Sequence, residues 1–227
     1  MIKEAVAVIY AYGSECLKEN EIALVYDWGG ESFTATLIQK KKDGQLSVLS
    51  ERTITCGGEE LNEPLLKDAT CLMEQELACV GITREDAKNQ GAWADFDAGV
   101  GHMKRQLSRC GRADLVFRNP MLKVTCEYPW ERFEQIISLL YQRTEQAIAD
   151  VIAEAGIPKS GIAQIFMAGG VSHFPYIRVQ LERYIGKLPC VLADMTAASA
   201  IGAAIYADTY TEKGMIDEIE NIKAAIE

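Results

Sequence analysis

The run LVYDWGGESFTATLI at 24–38 is apolar up to Asp27, breaks on two glycines, then resumes with Phe33, Ala35 and Leu37 on one side and Ser32, Thr34 and Thr36 on the other. A period of two marks a strand. Extended along the chain, this pattern predicts strands at about 22–28, 32–41 and 45–55, after a helix end at 1–13. Asp43-Gly44, within KKDGQ, readily takes the positive φ angles of a hairpin turn, so the three strands are expected as an antiparallel meander.

Residues 59–128 change period. Helical spacing at about 60–80 and 84–110 precedes two short strands, DLVFR and LKVTCEY, separated by an Asn119-Pro120 turn; this block reads as a small inserted α+β subdomain. From Trp130 the apolar residues at 133, 136, 137, 140, 147, 148, 151 and 152 keep helical spacing, and Gly156 supplies a stop. A strand AQIFMAGG, a helix at about 175–186, a strand PCVLA and a helix at about 196–208 follow. Alternating helix and strand implies parallel pairing, so the class is α/β, with a mixed sheet flanked by helices. The expected division is a discontinuous core (1–58 and 129–208), the insertion (59–128) and a C-terminal helix or linker (209–227), whose apolar positions 215, 216, 219, 222 and 226 suit a short amphipathic helix.

Composition narrows the function. The chain has 227 residues, 48% of them hydrophobic, enough to bury a substantial core. Thirty-three acidic residues against 23 basic give a net charge of −10, which argues against a general nucleic-acid or membrane-surface binder and leaves room for a locally basic pocket. The seven cysteines (16, 56, 71, 79, 110, 126 and 190) include no CxxC pair, so neither a disulfide framework nor a zinc knuckle is indicated, and a reducing cytoplasm fits. No uninterrupted apolar run reaches the ~18 residues of a membrane span.

Candidate chemistry sits at strand ends. DWGGES and AGGVSH each place two glycines after an apolar strand, where a missing Cβ lets backbone N–H groups turn towards a ligand, and Gly57-Gly58 closes the meander. Read singly, each pair is an ordinary turn; three in this order suggest more. Neither a GxGxxG fingerprint nor a GxxxxGK[ST] loop is present.

Over nearly its whole length to about residue 208, the chain resembles the second lobe of the ATPase domain of the seventy-kilodalton heat-shock chaperones, within the actin and hexokinase superfamily. The resemblance rests on EAVAVIYAYG, DWGGESFTATL, GGEEL, MKRQLS, WERFEQ, AGGVSHFPYI and AIGAAIYA, in the family's order. It implies an actin-like (ribonuclease H-like) lobe and an ATP or ADP site, with Mg, in a cleft between two lobes.

By the same resemblance, Gly29 and Gly30 would offer N–H groups and Ser32 a hydroxyl to the phosphates. Asp27 would lie by the metal-bound water, and Glu4 would position the attacking water. Gly57, Gly58 and Glu59 match the family's G-G-E turn, while Lys104, Arg105 and Ser108 match its adenosine-contacting helix. Gly169, Gly170 and His173 would close the nucleotide from the opposite wall. From the residues alone, the favoured readings are a solvated helix-end charge for Glu4, a strand-end turn former for Asp27 and a surface residue for His173, and a solvated basic patch is the plain alternative for Lys104 and Arg105.

Several positions depart from the family pattern. Glu31 replaces the third glycine of the phosphate turn, Thr34 a second metal-site acid, Gly101 a glutamate, Val171 a serine and His173 an arginine. The family's first lobe and its peptide-binding domain are expected in a longer protein of which this chain is a piece. That protein would be a cytoplasmic, stress-responsive chaperone ATPase meeting nucleotide, the first lobe, and a client protein or co-chaperone. The isolated chain is expected to be inactive. Two other classes stay open: a pseudo-ATPase interaction module, and a sugar or acid kinase on the same fold.

Overall fold

A computed structural model describes residues 2–83, 90–209 and 211 of the chain. Its centre is a four-stranded sheet of β1 (Ile22–Trp28), β2 (Phe33–Lys40), β3 (Leu46–Ile54) and β6 (Ile162–Ala168), in the order β3-β2-β1-β6. The meander β1–β2–β3 is antiparallel and β6 lies parallel to β1, so the sheet is mixed. A second sheet is the hairpin β4 (Asp114–Asn119) and β5 (Leu122–Glu127). In the β2–β3 loop only Gly44 takes a positive φ, +80°; its N–H donates to Lys41 O while Lys41 N–H donates to Gln45 O. That is a three-residue hairpin ending in a left-handed glycine, one residue longer than the tightest turn.

Alternation along β1 assigns the two faces of the sheet. Leu24, Tyr26 and Trp28, with Phe33, Ala35 and Leu37 of β2, join the larger core cluster, whereas Ala23, Val25, Ile38, Phe166 and Ala168 pack with Ala5, Val8 and Ile9 of α1 (Glu4–Tyr12). The larger face is covered by α4 (Trp130–Ala155), which buries Phe133, Ile137, Ala147, Ile148, Val151 and Ile152 and ends on left-handed Gly156 at φ 65°. The centre of the sheet, β1 and the middle of β2, is therefore dry on both faces, whereas the edge strand β3 stays largely exposed. For that reason Thr36, on the polar side of the sequence pattern, is fully buried, its hydroxyl donating to Glu51 Oε2 at 3.2 Å.

Between β3 and α4 lie α2 (Asn62–Cys79) and α3 (Gln90–Cys110), with α3 packed on β4 and α2 on β5; the apolar residues of this block belong to the same cluster as the sheet. Residues 84–89 of the expected second helix lie outside the described residues, as does nearly all of the C-terminal amphipathic segment. Helix α5 (Pro175–Ile185) carries proline at its first position, where no N–H is needed. A last helix, α6, runs over 198–209. It meets α1 so closely that a Cβ on Gly202 would sit 1.6 Å from Ala7 O.

One expected strand does not form. PCVLA contributes a single parallel bridge, Cys190 to Phe166. Cys190 N–H donates to Ile165 O and Met167 N–H to Cys190 O, but Met167 O then accepts the Tyr12 hydroxyl at 2.6 Å, and the chain leaves the sheet. Proline at 189 lacks an N–H on the preceding side, which further limits the ladder.

Candidate functional site

The ends of β1 and β6 and the segment after β3 converge. Asp27 pairs with Thr34 of β2 and Ala168 of β6, so the hairpin turn 29–32 and the Gly169-Gly170 turn leave the sheet side by side. Gly29 N–H donates to Ser32 O at 2.9 Å and closes the hairpin. The outward carbonyls are then taken by the third glycine segment: Gly58 N–H donates to Gly29 O at 3.0 Å and Glu59 N–H to Gly30 O at 2.8 Å. A Cβ on Gly57 would lie 2.0 Å from Gly30 O, so two backbones touch where only glycine fits.

Gly169 holds the other side at φ +85°, where a Cβ would stand 2.3 Å from Trp28 O and 2.7 Å from Asp27 Oδ1. Its N–H donates to Met195 O at 3.0 Å. Gly30 and Gly170 differ from these: both are exposed, and a Cβ on Gly30 would meet nothing within 4 Å. Packing therefore explains glycine at 57 and 169 and leaves open space at 30.

Two charged groups border the turns. Burial, and secondarily the charge of Glu4, push the Asp27 carboxyl up to about 6. Lys104, on α3, donates its ammonium to Gly58 O and, at 2.8 Å, to Asn62 Oδ1, and burial holds its pKa below the ordinary lysine value. Beside it α2 and α3 enclose a groove of about 430 Å³ lined by Asn62, Leu65, Leu66, Gly101, Lys104 and Arg105 among others.

Asp27, Gly29, Gly30, Gly57, Gly58, Glu59, Lys104 and Gly169 are thus joined by bonds or contacts, and Glu4 couples to Asp27 by charge. Val171, in the 3-10 turn Val171–His173, faces Gly58, and α3 packs on that turn, which carries His173 half-buried at its end. Ser108 and Arg105 stay within their own helix, the Ser108 hydroxyl donating to Arg105 O at 2.8 Å. Thr34 pairs its hydroxyl with Thr53 across β2–β3 at 3.0 Å. Glu31 and Arg105 are exposed, and Ser32 is half-buried.

Sequence reasoning missed the residues that fasten this arrangement. Trp28 Nε1 donates to Cys56 O at 2.8 Å, Asn62 accepts from Lys104, and Arg143 of α4 reaches Thr55 O and Glu60. Trp28 alone had a signal, since it shares the parity of Leu24 and Tyr26 and so points into the core.

Fold and site together define a mixed α/β unit whose glycine turns meet around a half-buried carboxylate at strand ends. The chain belongs to the Hsp70 protein family, whose profile matches residues 1–222. It is 28% identical over 214 residues to the chaperone protein DnaK of Thermoplasma volcanium, covering 90% of this chain and 34% of that protein. It is 30% identical over 209 residues to the chaperone protein HscA of Yersinia enterocolitica, covering 92% and 32%. To the heat shock protein hsp-6 of Caenorhabditis elegans it is 26% identical over 212 residues, covering 90% and 31%. The chain thus spans about a third of the length of the curated relatives it matches.

Proposed function

We propose that the chain is the nucleotide-binding second lobe of a heat-shock-chaperone-like ATPase of actin-like fold, binding ATP or ADP against another lobe and coupling hydrolysis to a client-binding region. The observation that carries this reading is the joining of Gly29-Gly30 to Gly57-Gly58 by backbone hydrogen bonds, with Asp27 half-buried behind them and Gly169 against its carboxylate. The amides of Gly29, Gly58, Glu59 and Gly169 are taken up in fixing the turns. The open Gly30 and Gly170 that those bonds hold at the strand ends suit a polyphosphate, whose transfer chemistry needs positioning and charge stabilisation more than a covalent partner.

The residues present fit such a ligand. Gly30 and Gly170 leave room at the surface for phosphate oxygens, and the Lys104 ammonium lies at the edge of the same turns. Among the described residues no three His, Cys, Asp or Glu side chains come together as a metal cage. Asp27 would hold Mg together with phosphate oxygens, the usual arrangement for that ion. Bound there, Mg would supply neutralisation of phosphate charge. Asp27 would lie by the metal-bound water, and Glu4, whose charge couples to it, would orient the attacking water. Thr34 is committed to Thr53 and supplies no second acid, and Glu31 adds a negative charge next to the turn, which supports slow hydrolysis.

Arg105, Ser108 and His173 would contact the adenosine side. A client or co-chaperone would be met through regions beyond this lobe. Titrating Mg-ADP into the 15N-labelled chain tests the reading. The amides of Gly30, Glu31, Gly170 and Val171 should shift while those of the β4–β5 hairpin stay still. Saturable binding that moves only the hairpin, or no shift at millimolar nucleotide, would overturn it.

A further inference from the structure

The Gly29-Gly30 turn has no side chain of its own to anchor it. It is held through its carbonyls by the amides of Gly58 and Glu59, so its position is inherited from the segment 55–60. Trp28 holds that segment at Cys56 O and Lys104 at Gly58 O, and Arg143 of α4 grips it at both ends. Arg143 Nη1 donates to Glu60 Oε2 at 2.5 Å and Nη2 to Thr55 O, so its guanidinium spans both ends of the stretch that contains Gly57 and Gly58. We propose that Arg143 is a positioning residue for the glycine cradle, acting from α4 through 55–60; the inference rests on reading that cradle as a nucleotide site.

Three features give the grip its effect. Contact between Gly57 and Gly30 is backbone against backbone, so any shift of 55–60 passes directly to the turn. The partners are distinct groups at two ends of a loop, which a planar fork with several donors can hold together and a single ammonium cannot. Both side chains of the Arg143–Glu60 pair are about half exposed, at 45% and 39%, and exposed pairs add little to global stability. Loss of Arg143 should therefore be felt in the site before it is felt in the fold.

The test uses the full 15N-labelled chain as wild type, Arg143→Met and Arg143→Lys, with Mg-ADP as the probe. In the free Arg143→Met chain, the amide resonances of Gly30, Gly58 and Glu59 should move while the urea midpoint stays near that of the wild type. Mg-ADP affinity should fall roughly fivefold, and Arg143→Lys, which keeps one of the two contacts, should recover about half of that loss on a logarithmic scale. Unmoved Gly30 and Gly58 amides in Arg143→Met would overturn the positioning role, as would wild-type affinity in that variant. So would an affinity loss matched by an equal fall in stability. A wild type that ignores Mg-ADP sinks the nucleotide reading instead, and the amide shifts of the free variants then decide the positioning role alone.

Discussion

Replacing Gly57 and Gly30 by alanine separates packing from binding. At Gly57 the backbone angles, φ −123° and ψ 175°, suit any residue, so the cost of a methyl group is purely steric. The added Cβ would stand 2.0 Å from Gly30 O and 2.4 Å from Glu31 C, both backbone atoms, whereas real contacts stay above 3.0 Å. Something must move by about an ångström, and the bonds Gly58 N–H to Gly29 O and Glu59 N–H to Gly30 O lie directly in the way. Overpacking costs ~1–3 kcal/mol, and weakening two backbone bonds adds ~1 kcal/mol each at most. A loss of about 3 kcal/mol corresponds to a fall of roughly 6–12 °C in the thermal midpoint for a chain of this size. Gly30→Ala meets nothing within 4 Å and should stay within about 0.5 kcal/mol of wild type while weakening Mg-ADP binding. Thermal unfolding by far-UV circular dichroism with a parallel calorimetric titration measures both. A Gly57→Ala midpoint indistinguishable from wild type would show that the two turns do not touch in solution.

Further outcomes follow from the same geometry. Asp27 is raised by burial and then by Glu4 from 3.8 to about 6, so the folded state binds the extra proton, and its contribution is present below the unfolded pKa and lost as pH rises through about 6. Asp27→Asn should remove that slope, at most on the order of 3 kcal/mol, and identical urea midpoints against pH for both chains would refute it. Asp68 has the opposite sign: hydrogen bonds from Arg132 hold its pKa low, so its contribution is present above the unfolded value and lost as pH falls through the depressed one. Asp68→Ala, which also strips the buried Tyr128 of its hydroxyl partner at 2.5 Å, should cost about 2 kcal/mol by denaturant unfolding, and a cost near zero would mean that the triad is not formed. Glu31→Gly, at an exposed position, should improve ATP affinity about two- to threefold, because solvent screens most of the repulsion; calorimetry with and without magnesium giving equal affinities for both chains would refute repulsion.

Much of the secondary structure was legible in the sequence because it is set by local periodicity. The alternation Phe33, Ala35, Leu37 chose the core-facing side of β2, and the helical spacing from 133 to 152 with Gly156 behind it fixed the body and end of α4. The order of elements also made a mixed sheet the natural result. Tertiary structure decided what depends on atoms far apart in the chain. Thr36 is buried because helices cover both faces of the sheet, and PCVLA is not a strand because a hydroxyl from α1 takes Met167 O. The glycine pairs could be named as turns, but that 57–58 would donate to 29–30, and that Arg143 would grip both ends of 55–60, depended on packing distances. Periodicity reports which face of an element is dry; it carries no information on which backbone carbonyl meets which amide once the elements are packed.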